Sequence, residues 1–232
     1  MAIEQDLNKL RALESFDTPT ICNALEMLDP ERRSFGFTRE NLVPINPDSG
    51  PMAGVARTAT MRSAFPSERD KPTLKEERLK YYEYVYEGRG VPKVCVMQDL
   101  DGNAAGTGPF WGEFNTRIHR SMGVRAVVTD GSVRDISHLP NDVLLLSCGL
   151  RPSHAHVHIV DFGRQVNVFG MTVCDGDLVH ADQHGAVAFS WSHLDELASR
   201  AAEFVASEAP IIEACKCDDL SFDELCRLYM AR

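Results

Sequence analysis

The chain has 232 residues, of which 44% are hydrophobic and 25% charged, and carries a formal net charge of −10. That length predicts one domain with a full hydrophobic core that needs no disulfide or metal staple. The acidic balance argues against a nucleic-acid partner, which would attract a basic face. It leaves room for an anionic small ligand, because one arginine or metal ion reverses the field locally.

Seven cysteines, none in a C-x-x-C pair, read as reduced thiols. The opening Met1 to Asp6 has neither a basic start nor an apolar run, and no segment has the length and apolarity of a membrane span, so a cytoplasmic protein is expected.

In chain order, residues 4–15 predict a short helix, and Asp17-Thr18-Pro19-Thr20 caps a second over Ile21 to Leu28. Pro44 to Gly54 is turn-rich, and Val55 to Met61 alternates as a strand does. Glu68 to Glu87 predicts a mostly exposed, charged helix with an aromatic edge of Tyr81, Tyr82, Tyr84 and Tyr86. Val94 to Met97 predicts a strand, and Asp99 to Pro109 a polar, Gly-rich loop. A helix runs from Trp111 to a glycine stop at Gly123, followed by a buried strand ending at the Asp130-Gly131 turn. Val143–Ser147, Ala155–Val160 and Val166–Val173 predict strands, and residues 178–189 a hairpin around Asp182-Gln183-His184-Gly185. Leu194 to Cys215 and Phe222 to Met230 predict closing helices. Strands bunched between 143 and 189, with helices on either side, indicate an α/β fold of layered β/β/α type and not a regularly alternating parallel sheet.

The densest chemistry lies between Gly112-Glu113 and Arg134-Asp135. A helix start offers free N–H groups and a positive dipole end to a carboxylate. Gly112 admits close approach of a ligand, and Arg134 offers a planar fork for carboxylate or enolate oxygens. Asp135 and Glu113 supply hard oxygen ligands suited to Mg²⁺ or Mn²⁺. A cation beside an arginine is what a developing enolate needs, although an Arg-Asp pair closing a turn is the commoner origin of such a sequence.

Three blocks decide between these readings: Gly112-Glu113, the run Gly123 to Asp135 (GVRAVVTDGSVRD), and Gly176 to Gly185 (GDLVHADQHG). With the opening Phe16 to Leu25, they resemble the 4-hydroxy-4-methyl-2-oxoglutarate/4-carboxy-4-hydroxy-2-oxoadipate aldolase family, which is related to the regulator of ribonuclease activity A. The clear match covers residues 110–190. The resemblance implies a single swivelling-domain-like unit over 1–232, with a core at 50–190 and C-terminal helices at 194–230, assembled as a homotrimer or homohexamer. It implies Mg²⁺ held by Asp135, a metal-bound water on Glu113, and a second on Glu208 (or Glu213) of a neighbouring subunit. Arg134 would bind substrate and stabilise a pyruvate enolate, and the backbone amides of Phe114 and Asn115 would take the pyruvyl carboxylate. The implied activity is C–C cleavage of a 4-hydroxy-2-oxo acid, with oxaloacetate decarboxylation through the same enolate. The alternative is a regulator that acts by protein contact. Methyl transfer to a quinone is the weakest reading, for lack of a nucleotide-type cofactor loop.

The chain departs from the family pattern at 66–98, which is long and charged, at Arg151 to His158, and at Ser190-Trp191-Ser192. On the predicted strand, His154, His156 and His158 would share one face, read as a polar surface in preference to a metal site. His180 and His184 flank the predicted hairpin turn, where Asp182 is expected to shape the loop; Trp111 reads as packing, and Asp130 as a turn former or an orienting group for the Arg134 loop.

Overall fold

The computed structural model describes residues 2–88, 90–217 and 219–232. Helices α1 (Ala2–Leu13) and α2 (Thr18–Leu28) open the chain. Asp17 caps α2 by accepting from the Thr20 N–H at 2.9 Å, and Pro19 falls in the first turn, where its missing N–H costs nothing. Strand β1 (Val43–Ile45) overlaps the start of the turn-rich stretch that begins at Pro44. Then come β2 (Met52–Arg62), α3 (Lys71–Tyr86), β3 (Lys93–Asp99), α4 (Glu113–Ser121), β4 (Val124–Thr129) and β5 (Leu144–Ser147).

Strands β2, β3, β4 and β5 pair in parallel, joined by α3 and α4 as crossovers between the first three. The centre of the sheet is therefore parallel, inside a mixed sheet of the layered α/β type that the sequence indicates. β1 adds antiparallel to β5. On the other edge, β9 (Leu178–Asp182) runs antiparallel to β2 and forms a hairpin with β10 (Gly185–Phe189). β6 (His158–Phe162) pairs with the C-terminal half of β2 through a bulge at Thr60/Met61.

Alternation along the strands separates two cores. Val94, Val96, Ala126, Val128, Leu144 and Leu146 face a small hairpin, β7 (Val166–Val168) and β8 (Met171–Val173). Cys95, Met97, Val127 and Leu145 face α3 and the segment leading into α4, with Tyr81, Val85, Phe110 and Trp111 buried among them. A third cluster packs α1, α2 and α5 (Leu194–Ala214) against β9 and β10. The result is the layered β/β/α arrangement, with α6 (Phe222–Ala231) packed on α5. No helix among the described residues is long and apolar enough to cross a membrane.

Three further expectations change. The single strand over 166–173 is the β7–β8 hairpin, because Phe169 (φ 51°) and Gly170 (φ 78°) turn the chain in the left-handed region. The tyrosine-rich face of α3 is not a solvated edge: Tyr81 is fully buried. His119 Nδ1 faces the Asn115 carbonyl, an acceptor only, so it carries the proton; Nε2 accepts from the Tyr81 hydroxyl at 2.9 Å. Burial lowers the His119 pKa to about 4, which keeps this packing neutral. Finally, β6 begins only at His158. Ala155, at φ 45°, bends the chain before it, so His154, His156 and His158 do not line one strand face.

Candidate active site

The edge where the parallel strands end carries the site. Trp111 and Val133 form a parallel bridge, and the Arg134 N–H donates to the Trp111 carbonyl at 3.0 Å. Val133 is gripped on its other side by Gly149 and Arg151, through bonds of 2.9 and 3.1 Å. These bonds lay the Val133–Asp135 segment across the start of α4. Gly112 is the N-cap of that helix, and the first intrahelical donor is the Thr116 N–H, to the Gly112 carbonyl at 3.0 Å. The amides of Glu113, Phe114 and Asn115 precede it, as anion-binding helix starts require.

Asp135 adopts a left-handed conformation, φ 57° and ψ 33°, tolerable for an aspartate and costly for most residues. It sets the carboxylate beside its neighbour, with Arg134 Nε 3.3 Å from Asp135 Oδ2, both side chains about one-third exposed. Gly112 makes room for the pair. A Cβ there would lie 2.7 Å from Asp135 Oδ2 and 3.0 Å from Arg134 Cγ. A cleft of about 190 Å³ opens here, walled by Phe110, Gly112, Phe114, Asn115, Arg134 and Asp135 together with Arg78, His154 and Val157. The Asn115 side chain is structural: its Nδ2 donates to the Phe110 carbonyl and its Oδ1 accepts from the Tyr82 hydroxyl, both at 2.6 Å. That leaves its backbone amide as its contribution to the cleft.

Glu113 stands at the first helical position but does not line the cleft. Its Oε1 accepts from Arg117 Nε at 2.9 Å, and Arg117 also donates to the His138 carbonyl at 3.0 Å, tying α4 to the turn after Asp135. Glu208 and Glu213 lie on the outer half of α5, paired with Arg232 (2.7 Å) and Lys216 (2.6 Å), and neither lines the cleft of its own chain. Arg78 and the placement of His154 and Val157 escaped the sequence reading. The one available sign was that Arg78 falls inside the charged segment 66–98.

Among the described residues, no three His, Cys, Asp or Glu side chains cluster as a closed metal cage. Asp135, with the space kept open by Gly112, fits a hard ion that retains most of its waters, as Mg²⁺ does.

Behind the site, Asp130 joins the strand ends by accepting from the Asp99 N–H at 2.6 Å. Burial raises its pKa to about 7, and the Asp99 and Glu40 charges add to the rise. Asp182 accepts from the His184 N–H and, across the fold, from the Thr18 N–H, each at 2.8 Å; it shapes its hairpin and also holds α2. His180 is buried, with its ring nitrogens against the Thr18 hydroxyl and the Leu13 carbonyl.

A family model described as RraA-like, Aldolase/RraA, matches residues 18–188. The chain belongs to the Aldolase/RraA family. Solved structures of similar fold include an uncharacterized protein from Pseudomonas syringae pv. tomato, 20% identical over 97% of this chain and 94% of that one, with a TM-score of 0.70. RraAS2 from Streptomyces coelicolor, described as an unusual member of the RNase ES inhibitor RraA family, is 24% identical over 87% and 94%, with a TM-score of 0.63. The RNA-processing inhibitor RraA from Thermus is 18% identical over 72% of this chain and 91% of its own, with a TM-score of 0.52. No curated protein matches the chain in sequence. The Aldolase/RraA family thus takes in lyases and ribonuclease inhibitors, and the chemistry must be argued from the site.

Proposed function

We propose that the chain is a divalent-metal-dependent lyase that cleaves a 4-hydroxy-2-oxo acid to release pyruvate. One observation carries this reading: Arg134 and Asp135 stand side by side over Gly112, at the open N-terminus of α4, in a cleft sized for a small acid. A surface that acts by contact has no need of a helix start kept open in this way.

The Phe114 and Asn115 amides receive the 1-carboxylate of the substrate, where the helix dipole favours negative charge. Arg134 lies where the 2-oxo oxygen would come to rest. In the retro-aldol step, the 4-hydroxyl passes its proton to a water, C4 leaves as the carbonyl carbon of the second product, and the C3–C4 bond breaks. The bonding pair moves to C2–C3 as the carbonyl electrons pass to the 2-oxo oxygen, and the guanidinium takes up that charge. Protonation at C3 then yields pyruvate. Loss of CO₂ from oxaloacetate gives the same enolate, so decarboxylation accompanies the main activity. Asp135 would hold a divalent cation, and Glu113, once released from Arg117, would bond to its waters; the ion would supply further positive charge at that oxygen.

Pyruvate release from 4-hydroxy-4-methyl-2-oxoglutarate or oxaloacetate, coupled to NADH oxidation, tests the proposal. Turnover that EDTA abolishes and Mg²⁺ or Mn²⁺ restores is expected. Absence of metal-dependent turnover across a panel of 2-oxo acids would favour the regulator.

A further inference from the structure

The cleft holds a second guanidinium that the proposed chemistry does not use. Arg78 comes from α3, inside the segment that departs from the family pattern and outside the residues that carry the resemblance. It is half-buried, packs over the Phe110 ring with its guanidinium carbon 5.1 Å from the centroid, and stands beside the Tyr82 hydroxyl. Tyr82 in turn donates to Asn115 in the first turn of α4. The guanidinium is thus fixed on the cleft wall by Phe110 and Tyr82.

Its charge is not neutralised locally. Among the described residues no carboxylate ion-pairs with Arg78, whereas its neighbour Glu77 is taken by Arg69 at 2.7 Å. Arg78, Arg134 and the helix dipole therefore meet a single protein carboxylate, Asp135, in one small cleft. A chain of net charge −10 concentrates positive potential there, and the balance calls for a ligand with two separated negative groups. A guanidinium fork held by stacking is pre-organised for bidentate contact with a carboxylate. A volume of about 190 Å³ admits an acid of a few carbons.

We infer that Arg78 is the specificity-determining residue of the cleft and binds the far carboxylate of a dicarboxylic 2-oxo acid whose 2-oxo end lies at Arg134. This rests on the 2-oxo acid reading of the site, and a pair of non-cleavable probes separates the two. 2-Oxoglutarate and 2-oxovalerate share a five-carbon 2-oxo acid frame and differ in a terminal carboxylate or methyl. By calorimetric titration of the full chain in magnesium chloride, 2-oxoglutarate should bind about tenfold or more tightly, the scale of a charge-assisted bond. In Arg78→Gln that preference should vanish while 2-oxovalerate binding stays within about twofold; Arg78→Lys should keep part of it. Equal binding of both acids to the unaltered protein, or a preference that survives in Arg78→Gln, would overturn the assignment and leave the lyase reading intact. Equal weakening of both acids in Arg78→Gln would also overturn it, marking Arg78 as packing. If neither acid binds the unaltered protein, the 2-oxo acid reading fails as well.

Discussion

A single carbon at position 112 would reach both functional side chains. Gly112 has extended backbone angles open to any residue, so its value lies in the space above it. An alanine there would press on the Asp135 carboxylate at 2.7 Å and the Arg134 stem at 3.0 Å, both flexible enough to move. Gly112→Ala is therefore expected to unfold within about 1 kcal/mol of the unaltered protein, since the two side chains can shift aside, yet to lose tenfold or more in kcat/KM, which misplacing a positioned group costs. Normal turnover in a folded Gly112→Ala would show that the pair tolerates displacement. At this scale the sequence was informative where the site is local: Gly112, Arg134 and Asp135 sit on segments whose turn chemistry and spacing are visible in the chain. Arg78 was not legible, because it joins the cleft only through packing of α3 on Phe110 and Tyr82 on Asn115, contacts between distant segments. Glu113 shows the converse: a suitable residue at a suitable position, already engaged by Arg117 four residues on.

At the scale of elements, the parallel strands present their C-terminal ends to the site, and Asp130 couples two of them by accepting from the Asp99 amide at the end of β3. Its folded pKa of about 7 lies above the ordinary 3.8. Between those values the native state holds a proton that the unfolded chain gives up. The contribution is thus fully present below about pH 3.8 and is lost as pH rises to about 7, at no more than about 1.4 kcal/mol per pH unit. Asn keeps the acceptor and removes the titration. Denaturant unfolding of both proteins should show the unaltered chain losing stability relative to Asp130→Asn from pH 4 to pH 7; parallel curves would mean that Asp130 ionises freely. Most elements were legible in the sequence, including the Asp17 cap, the glycine stop at Gly123 and the β9–β10 hairpin. The β7–β8 turn was not, because Phe169 is a residue that rarely accepts a left-handed conformation. The start of β6 was missed because alternating histidines mimic a strand while Ala155 bends the backbone.

For the whole molecule, the outer half of α5 and all of α6 bury little in their own chain: Val205, Ile212, Phe222, Tyr229 and Met230 are exposed, and Glu208 lies among them. We propose that this face packs on a neighbouring copy in a trimer or hexamer. Light scattering should give three or six times the 25.8 kDa chain mass, and a monomer at micromolar concentration would leave Glu208 without a route to any cleft. Whether the chain is an enzyme turns on its cationic cleft. The most direct test measures pyruvate release from 4-hydroxy-4-methyl-2-oxoglutarate, with Mg²⁺ and then with EDTA, for the unaltered protein and for Arg134→Ala. Metal-dependent turnover that falls at least about a hundredfold in a folded Arg134→Ala is expected, the cost of removing a preorganised charge partner of a developing oxyanion. Equal turnover in the two proteins, or none in either, would contradict it.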